Sequence, residues 1–155
     1  MILYRITKTA YARDLSGADA RMYGGRWNQK GTAVLYTASN PALATVELLV
    51  HVDANVLPND LRLAFIEVPD NSSSSTLEPE SLPKNWRTFP TPAVLAELGT
   101  RWAESRQTLM LRVPSAIVVD DCNVLLNPAH PEFTNVHIEK VTAFGFDDRR
   151  LKHRE

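Results

Sequence analysis

Apolar and polar positions along the 155-residue chain follow two rhythms, a period of two and a period near 3.6. "ILYRI" at the start predicts a short strand. "AVLYTA", residues 33–38, predicts a second, bounded by Gly31 and by "SNP". Ser39-Asn40-Pro41 is a helix start: a side-chain oxygen caps free N–H groups, and Pro needs no donor in the first turn. The helix is predicted over residues 41–53, with Leu43, Val46 and Val50 as its buried stripe. "LRLAFIEVP", residues 61–69, alternates as a strand. Residues 69–85, "PDNSSSSTLEPESLPKN", read as a surface connection holding at most a short helical turn. Thr91-Pro92 opens another helix, with Val94, Leu98 and Trp102 on one face. Three short apolar runs follow, "TLMLRVP", "AIVVD" and "NVLLN", and then "EKVTAFGFD". Strands interrupted by two or three helices predict one α+β domain over residues 1–155, with a mixed or antiparallel sheet.

One position disturbs the helical stripe. Glu47 lies one turn after Leu43 and three residues before Val50, so it projects within or beside the buried face. A carboxylate there is costly unless it is paired, hydrogen-bonded or lines a cavity. Two readings stand: a Glu at the edge of the stripe that reaches water, or a pocket carboxylate whose natural partner is Arg26. The second half of that pair sits in "MYGGRWNQKGT". Gly24 and Gly25 permit close backbone approach, and Arg26 offers a planar fork of donors that suits phosphate or carboxylate. Read locally, "GGRWN" is equally a glycine turn carrying an exposed arginine. It is neither a Walker loop nor a dinucleotide GxGxxG. Trp27 and Tyr36 are stacking surfaces or core. His51, four residues after Glu47, bonds it or faces solvent.

Composition narrows the classes. A net charge of −1 supplies no overall field for nucleic acid or an anionic membrane. Cys122 stands alone, so no disulfide forms within the chain, and a cytoplasmic location is expected. The N-terminus lacks a signal-peptide pattern, and no apolar run approaches the ~18–20 residues that cross a bilayer. Histidines at 51, 130, 137 and 153 show no ligand spacing, so no metal is expected. Ser115 in "RVPSAIV" lacks the GxSxG elbow and reads locally as a turn serine. The terminal "DDRRLKHRE" reads as solvated charge.

The ordered blocks "YR", "GGRWN", "G-T-x-V-L-Y", "A-L-x-T-x-E-L-L-x-H", "VPSAIV" and "NxLLNPxHP" resemble the RES-domain family, the toxins of bacterial Xre–RES toxin–antitoxin pairs. The match runs over nearly the whole chain. The family's Arg, Glu and Ser map onto Arg26, Glu47 and Ser115, and its tyrosine onto Tyr36. The resemblance implies a fold similar to ADP-ribosyltransferase toxins and NAD as substrate. It implies hydrolysis or phosphorolysis at the nicotinamide bond, or ADP-ribosyl transfer to a protein. Gly25, Arg5 and Asn127 join Arg26 and Tyr36 as candidate dinucleotide contacts, with Arg5 equally able to form a structural ion pair. The resemblance also implies a helix-turn-helix Xre-type antitoxin that covers the active site, and a homodimer within a larger assembly. An RNA-targeting toxin and a non-catalytic binding module are the competing classes; a near-zero net charge without clustered Lys/Arg and aromatics speaks against RNA.

Overall fold

Seven strands pair into one mixed sheet in the order β4-β5-β6-β2-β1-β3-β7. They are β1 (Ile2–Lys8), β2 (Leu35–Ala38), β3 (Leu61–Glu67), β4 (Ser74–Thr76), β5 (Met110–Pro114), β6 (Cys122–Leu126) and β7 (His137–Ala143). Three helices, α1 (Ala18–Tyr23), α2 (Pro41–His51) and α3 (Ala93–Ser105), complete an α+β domain. The computed structural model describes residues 1–53, 56 and 58–146. The charged terminal segment with His153 lies outside the described residues.

Every neighbouring pair is antiparallel except β4 and β5. The ladder is uneven. β1 pairs with β3 along its whole length, from Ile2↔Glu67 to Lys8↔Leu61. With β2 it shares the single register pair Tyr4↔Ala38. The sheet is therefore two well-knit halves joined at a narrow seam, and α2 packs across that seam: its Leu43 and Ala44 cluster with Ala38 on one side and with Tyr4 and Ile6 on the other.

α2 begins where the capping chemistry places it. Asn40 Oδ1 accepts from the Leu43 N–H at 2.8 Å, with Pro41 in the first turn. Its buried residues are Leu43 and Ala44, while Val50 is 58% exposed, so the predicted stripe through Val50 is corrected. The turn of the helix decides this: Glu47 lies four residues from Leu43 and three from Ala44, centrally on the face turned to the sheet.

Alternation along the central strands sorts two cores. Leu3, Leu35, Ile66, Val124 and Leu126 fill one face, and Leu111, Val113 and Leu125 join Trp27, Trp86, Leu95 and Trp102 on the other. Trp27, left open by the sequence, is core at 3% exposure. The "AIVVD" run is a turn rather than a strand, with Val118 against Ala38 and Leu43 and Asp120 at φ 62°. The serine-rich connection contains β4, held in parallel register on β5, as well as a 3-10 turn at Pro79–Ser81.

Candidate active site

Glu47 reaches the sheet at the end of β5 and the start of β6. Its Oε1 accepts from Ser115 Oγ at 2.9 Å and from Asn123 Nδ2 at 2.7 Å. Ser115 is almost fully buried, at 1% exposure. Its hydroxyl oxygen accepts from the N–H groups of Ile117 and Val118 at 3.1 and 3.0 Å. With its proton given to Glu47 and its lone pairs taken by the turn, the serine is a bracket for the carboxylate.

Arg26 stands on the loop between α1 and β2. One guanidinium nitrogen donates to the Trp86 carbonyl at 2.8 Å. Burial pulls the guanidinium below its ordinary range, and the nearby Glu47 and Tyr36 oppose that shift. Glu47 is thus close enough to be felt, although ion pairs within 4.0 Å among the described residues do not include Arg26 with Glu47. The two side chains place a cation and an anion near one another, both partly exposed.

The loop that carries Arg26 is built by its own neighbours. Tyr36 donates its hydroxyl hydrogen to Asn28 Oδ1 at 2.7 Å and accepts from the Trp27 N–H at 3.0 Å. Asn28 Nδ2 donates to the Ala20 and Thr32 carbonyls at 2.8 and 3.1 Å. Burial pushes the Tyr36 phenol far above its ordinary range, so it stays a neutral donor. A Cβ on Gly25 would lie 2.7 Å from the Tyr36 hydroxyl, which is why glycine is required there. From α3, Thr100 Oγ1 accepts the Gln29 N–H at 2.9 Å. Tyr36→Phe is expected to leave Asn28 Oδ1 and the Trp27 N–H unpaired and to cost about 1–3 kcal/mol in a urea unfolding titration. A loss below about 0.5 kcal/mol would show that the hydroxyl is not what holds the loop.

Arg5 donates to the Tyr11 and Asp14 carbonyls at 3.2 and 2.9 Å. With Tyr36, Gly17 and Val34 it lines a niche of about 80 Å³. That is well below the ~300–1,000 Å³ of ordinary small-molecule sites. Asn127 stands apart: its amide donates to the Ala103 carbonyl at 2.8 Å and its oxygen accepts from the Ala129 N–H at 3.1 Å. A roomier cavity of about 390 Å³ reaches Ser115 from the side, lined also by Arg87, Arg112 and Cys122, but neither Glu47 nor Arg26 lines it. Glu47 thus meets its donors at the β5–β6 end of the sheet, beside that cavity. The hydrogen bonds to Glu47 come from Ser115 and Asn123 rather than from His51, and no metal-holding group of three or more His, Cys, Asp or Glu occurs among the described residues.

Sequence reasoning missed Asn123 and Asn28. Asn28 stood in "GGRWN" with no reason to prefer it over its neighbours. Asn123 hid inside "NVLLN", where only strand alternation reveals that it shares a face with Leu125 and not with Val124.

The chain is similar to known proteins. A family model described as RES domain covers residues 2–147. The chain belongs to the RES domain family. A relative from Sphingobium sp. (strain YBL2), named Prs ADP-ribosylating toxin, is 42% identical over 94% of this chain and 91% of its own length. One from Yersinia enterocolitica, named Toxin Res, is 42% identical over 96% of this chain and 99% of its own. The fold is also that of a chain in the crystal structure of the M. tuberculosis MbcT–MbcA toxin–antitoxin complex, with a TM-score of 0.69 and 19% identity over 92% of this chain and 83% of that one. No helix among the described residues is long and apolar enough to cross a membrane.

Proposed function

We propose that this RES-domain chain is the toxin of a toxin–antitoxin pair and breaks the bond between nicotinamide and ribose in NAD. One observation carries the reading: a carboxylate on the buried face of α2, tethered through one oxygen by Ser115 and Asn123, with Arg26 close beside it. Relatives named as toxins at about 40% identity support the toxin part of this reading.

The chemistry asks for little acid help, because nicotinamide leaves with the bonding electron pair and its ring nitrogen loses its positive charge. What needs stabilising is the cationic sugar left behind. Glu47 supplies a negative charge that faces the growing positive one and accepts a ribose hydroxyl. Arg26 holds the pyrophosphate through charge-assisted hydrogen bonds. Tyr36 shapes the wall and keeps Arg26 in place through Trp27, with its ring edge available to the nicotinamide. Arg5 serves as a second anion contact at the niche beside Tyr36. Gly25 lets the backbone approach. Ser115 acts through Glu47. Asn127, whose amide is spent on Ala103 and Ala129, supports the β6 end rather than the ligand.

Water, phosphate or a protein side chain then adds to the ribose carbon and sheds a proton. A protein acceptor is the second reading, favoured by the Sphingobium relative's name. NAD labelled in its adenylate half and incubated with cell lysate separates the two. Free labelled ADP-ribose supports hydrolysis, and a labelled protein band supports transfer. The partner proposed from the family is an Xre-type antitoxin that covers Glu47 and Arg26, with the toxin dimeric in the assembly. Arg26→Ala is expected to raise the KM for NAD about 10-fold or more, since a charged hydrogen bond is worth ~1.5–3 kcal/mol. An unchanged KM in steady-state assays would remove Arg26 from the site.

A further inference from the structure

Both hydrogen bonds to Glu47 fall on the same oxygen. Ser115 and Asn123 donate to Oε1, and Oε2 receives none from the described residues. We infer that Asn123 is a positioning residue, which sets the plane of the Glu47 carboxylate and leaves Oε2 as the oxygen presented to the ribose. The inference deepens the NAD-cleaving reading and rests on it.

A carboxylate turns almost freely about its last torsion, so one donor does not define its plane. Two donors from different elements do. Ser115 comes from the turn after β5, and Asn123 from β6 itself. The strand position is rigid: Asn123 is paired with Ala38 on β2 and with Val113 on β5, in the middle of the sheet. Ala38 is small, which leaves room for the Glu47 and Asn123 side chains to meet above it. The same hairpin is tied to the start of α2, where Asp121 accepts from Ser39 at 3.2 Å and from Asn40 at 3.4 Å. The distance from Asn123 to Glu47 is thereby held at the strand and at the start of the helix. A carboxamide is also the right group chemically. It donates at every pH, whereas a carboxylate at 123 would repel Glu47. The charged groups facing Glu47 are then Arg26 from its loop and, beyond the helix start, Asp121.

Among the described residues, the Asn123 side chain spends its hydrogen bond on Glu47. Leu125, two residues on and on the same face, packs into the tryptophan-rich core. An apolar residue at 123 would continue that face. Asn123 instead forgoes packing and points its donor at the one carboxylate on α2.

The test compares wild type with Asn123→Leu, which keeps the branched shape and removes the donor, and with Asn123→Asp, which places a like charge beside Glu47. Nicotinamide release from NAD gives kcat and KM, and crystal structures of the variants give the orientation of the Glu47 carboxylate. For Asn123→Leu, kcat is expected to fall about 10- to 100-fold with KM within 3-fold, as for a misplaced catalytic group, and the Glu47 carboxylate is expected to turn away from its wild-type plane. For Asn123→Asp the loss in kcat is expected to be at least as large, because the two carboxylates repel. Should the leucine variant fail to fold, the aspartate variant decides on its kcat and on its Glu47 orientation. Folded variants with wild-type kcat and an unmoved Glu47 carboxylate overturn the inference. A wild type that releases no nicotinamide refutes the NAD reading instead, and the Glu47 orientation in the variants then decides alone whether Asn123 governs Glu47.

Discussion

Glu47→Gln is expected to lower nicotinamide release by about 10²- to 10³-fold and to leave the fold standing. The two consequences have separate causes. The amide oxygen of a glutamine still accepts from Ser115 Oγ and Asn123 Nδ2, which lie 2.9 and 2.7 Å from Oε1. The contacts that seat α2 therefore persist. The negative charge does not. Removing a charge aimed at the site where opposite charge develops costs roughly 3–4 kcal/mol of barrier height, which is the fold-change given. Because the sugar becomes cationic chiefly in the transition state, the loss belongs in kcat, with KM for NAD nearly unchanged. Steady-state kinetics beside a thermal melt checks both parts. A glutamine variant within 3-fold of wild-type kcat would mean that the carboxylate serves packing alone.

Gly99→Ala is expected to be among the most destabilising single-methyl changes in the chain. A Cβ at that position would stand 1.7 Å from the Trp27 carbonyl oxygen and 2.7 Å from its carbon. Both obstacles are backbone atoms of Trp27, on a loop whose tryptophan is fixed in the core, so no flexible side chain gives way. Alanine's better helix propensity returns only ~1 kcal/mol. A net loss of roughly 3 kcal/mol or more is expected, or ~6–12 °C in melting temperature at ~2–4 °C per kcal/mol for a domain of this size. The shift also reaches the site, because α3 and the Arg26 loop must part for the methyl to fit. Binding of NAD should weaken in whatever fraction remains folded. Equal melting temperatures for Gly99→Ala and wild type would contradict the close seating of α3 on the loop.

The sequence carried some of this and hid the rest for identifiable reasons. Capping chemistry marked the start of α2 to the residue, since Asn40 and Pro41 act through local bonds. Glu47 was conspicuous as a charge on an apolar face. Its setting was hidden, because Ser115 and Asn123 arrive from 68 and 76 residues away. The stripe through Val50 failed because only the first turns of α2 lie on the sheet. α1, six residues long, is too short for a helical period and owes its place to tertiary bonds such as Asn28 Nδ2 to the Ala20 carbonyl. β4 has no alternation to read, being three residues of a serine run recruited by β5. The seam between β1 and β2 is legible in neither strand alone. It follows from the short reach of β2 and from the single register pair that joins them.

The central claim is that Glu47, with Arg26 nearby, cleaves NAD. Its most direct test mixes the purified chain, free of any antitoxin, with NAD alone and follows nicotinamide by chromatography. The account predicts nicotinamide accumulating in step with NAD loss, and its near-abolition by Glu47→Gln. Intact NAD after prolonged incubation with correctly folded protein, with or without phosphate and lysate as acceptors, would contradict it.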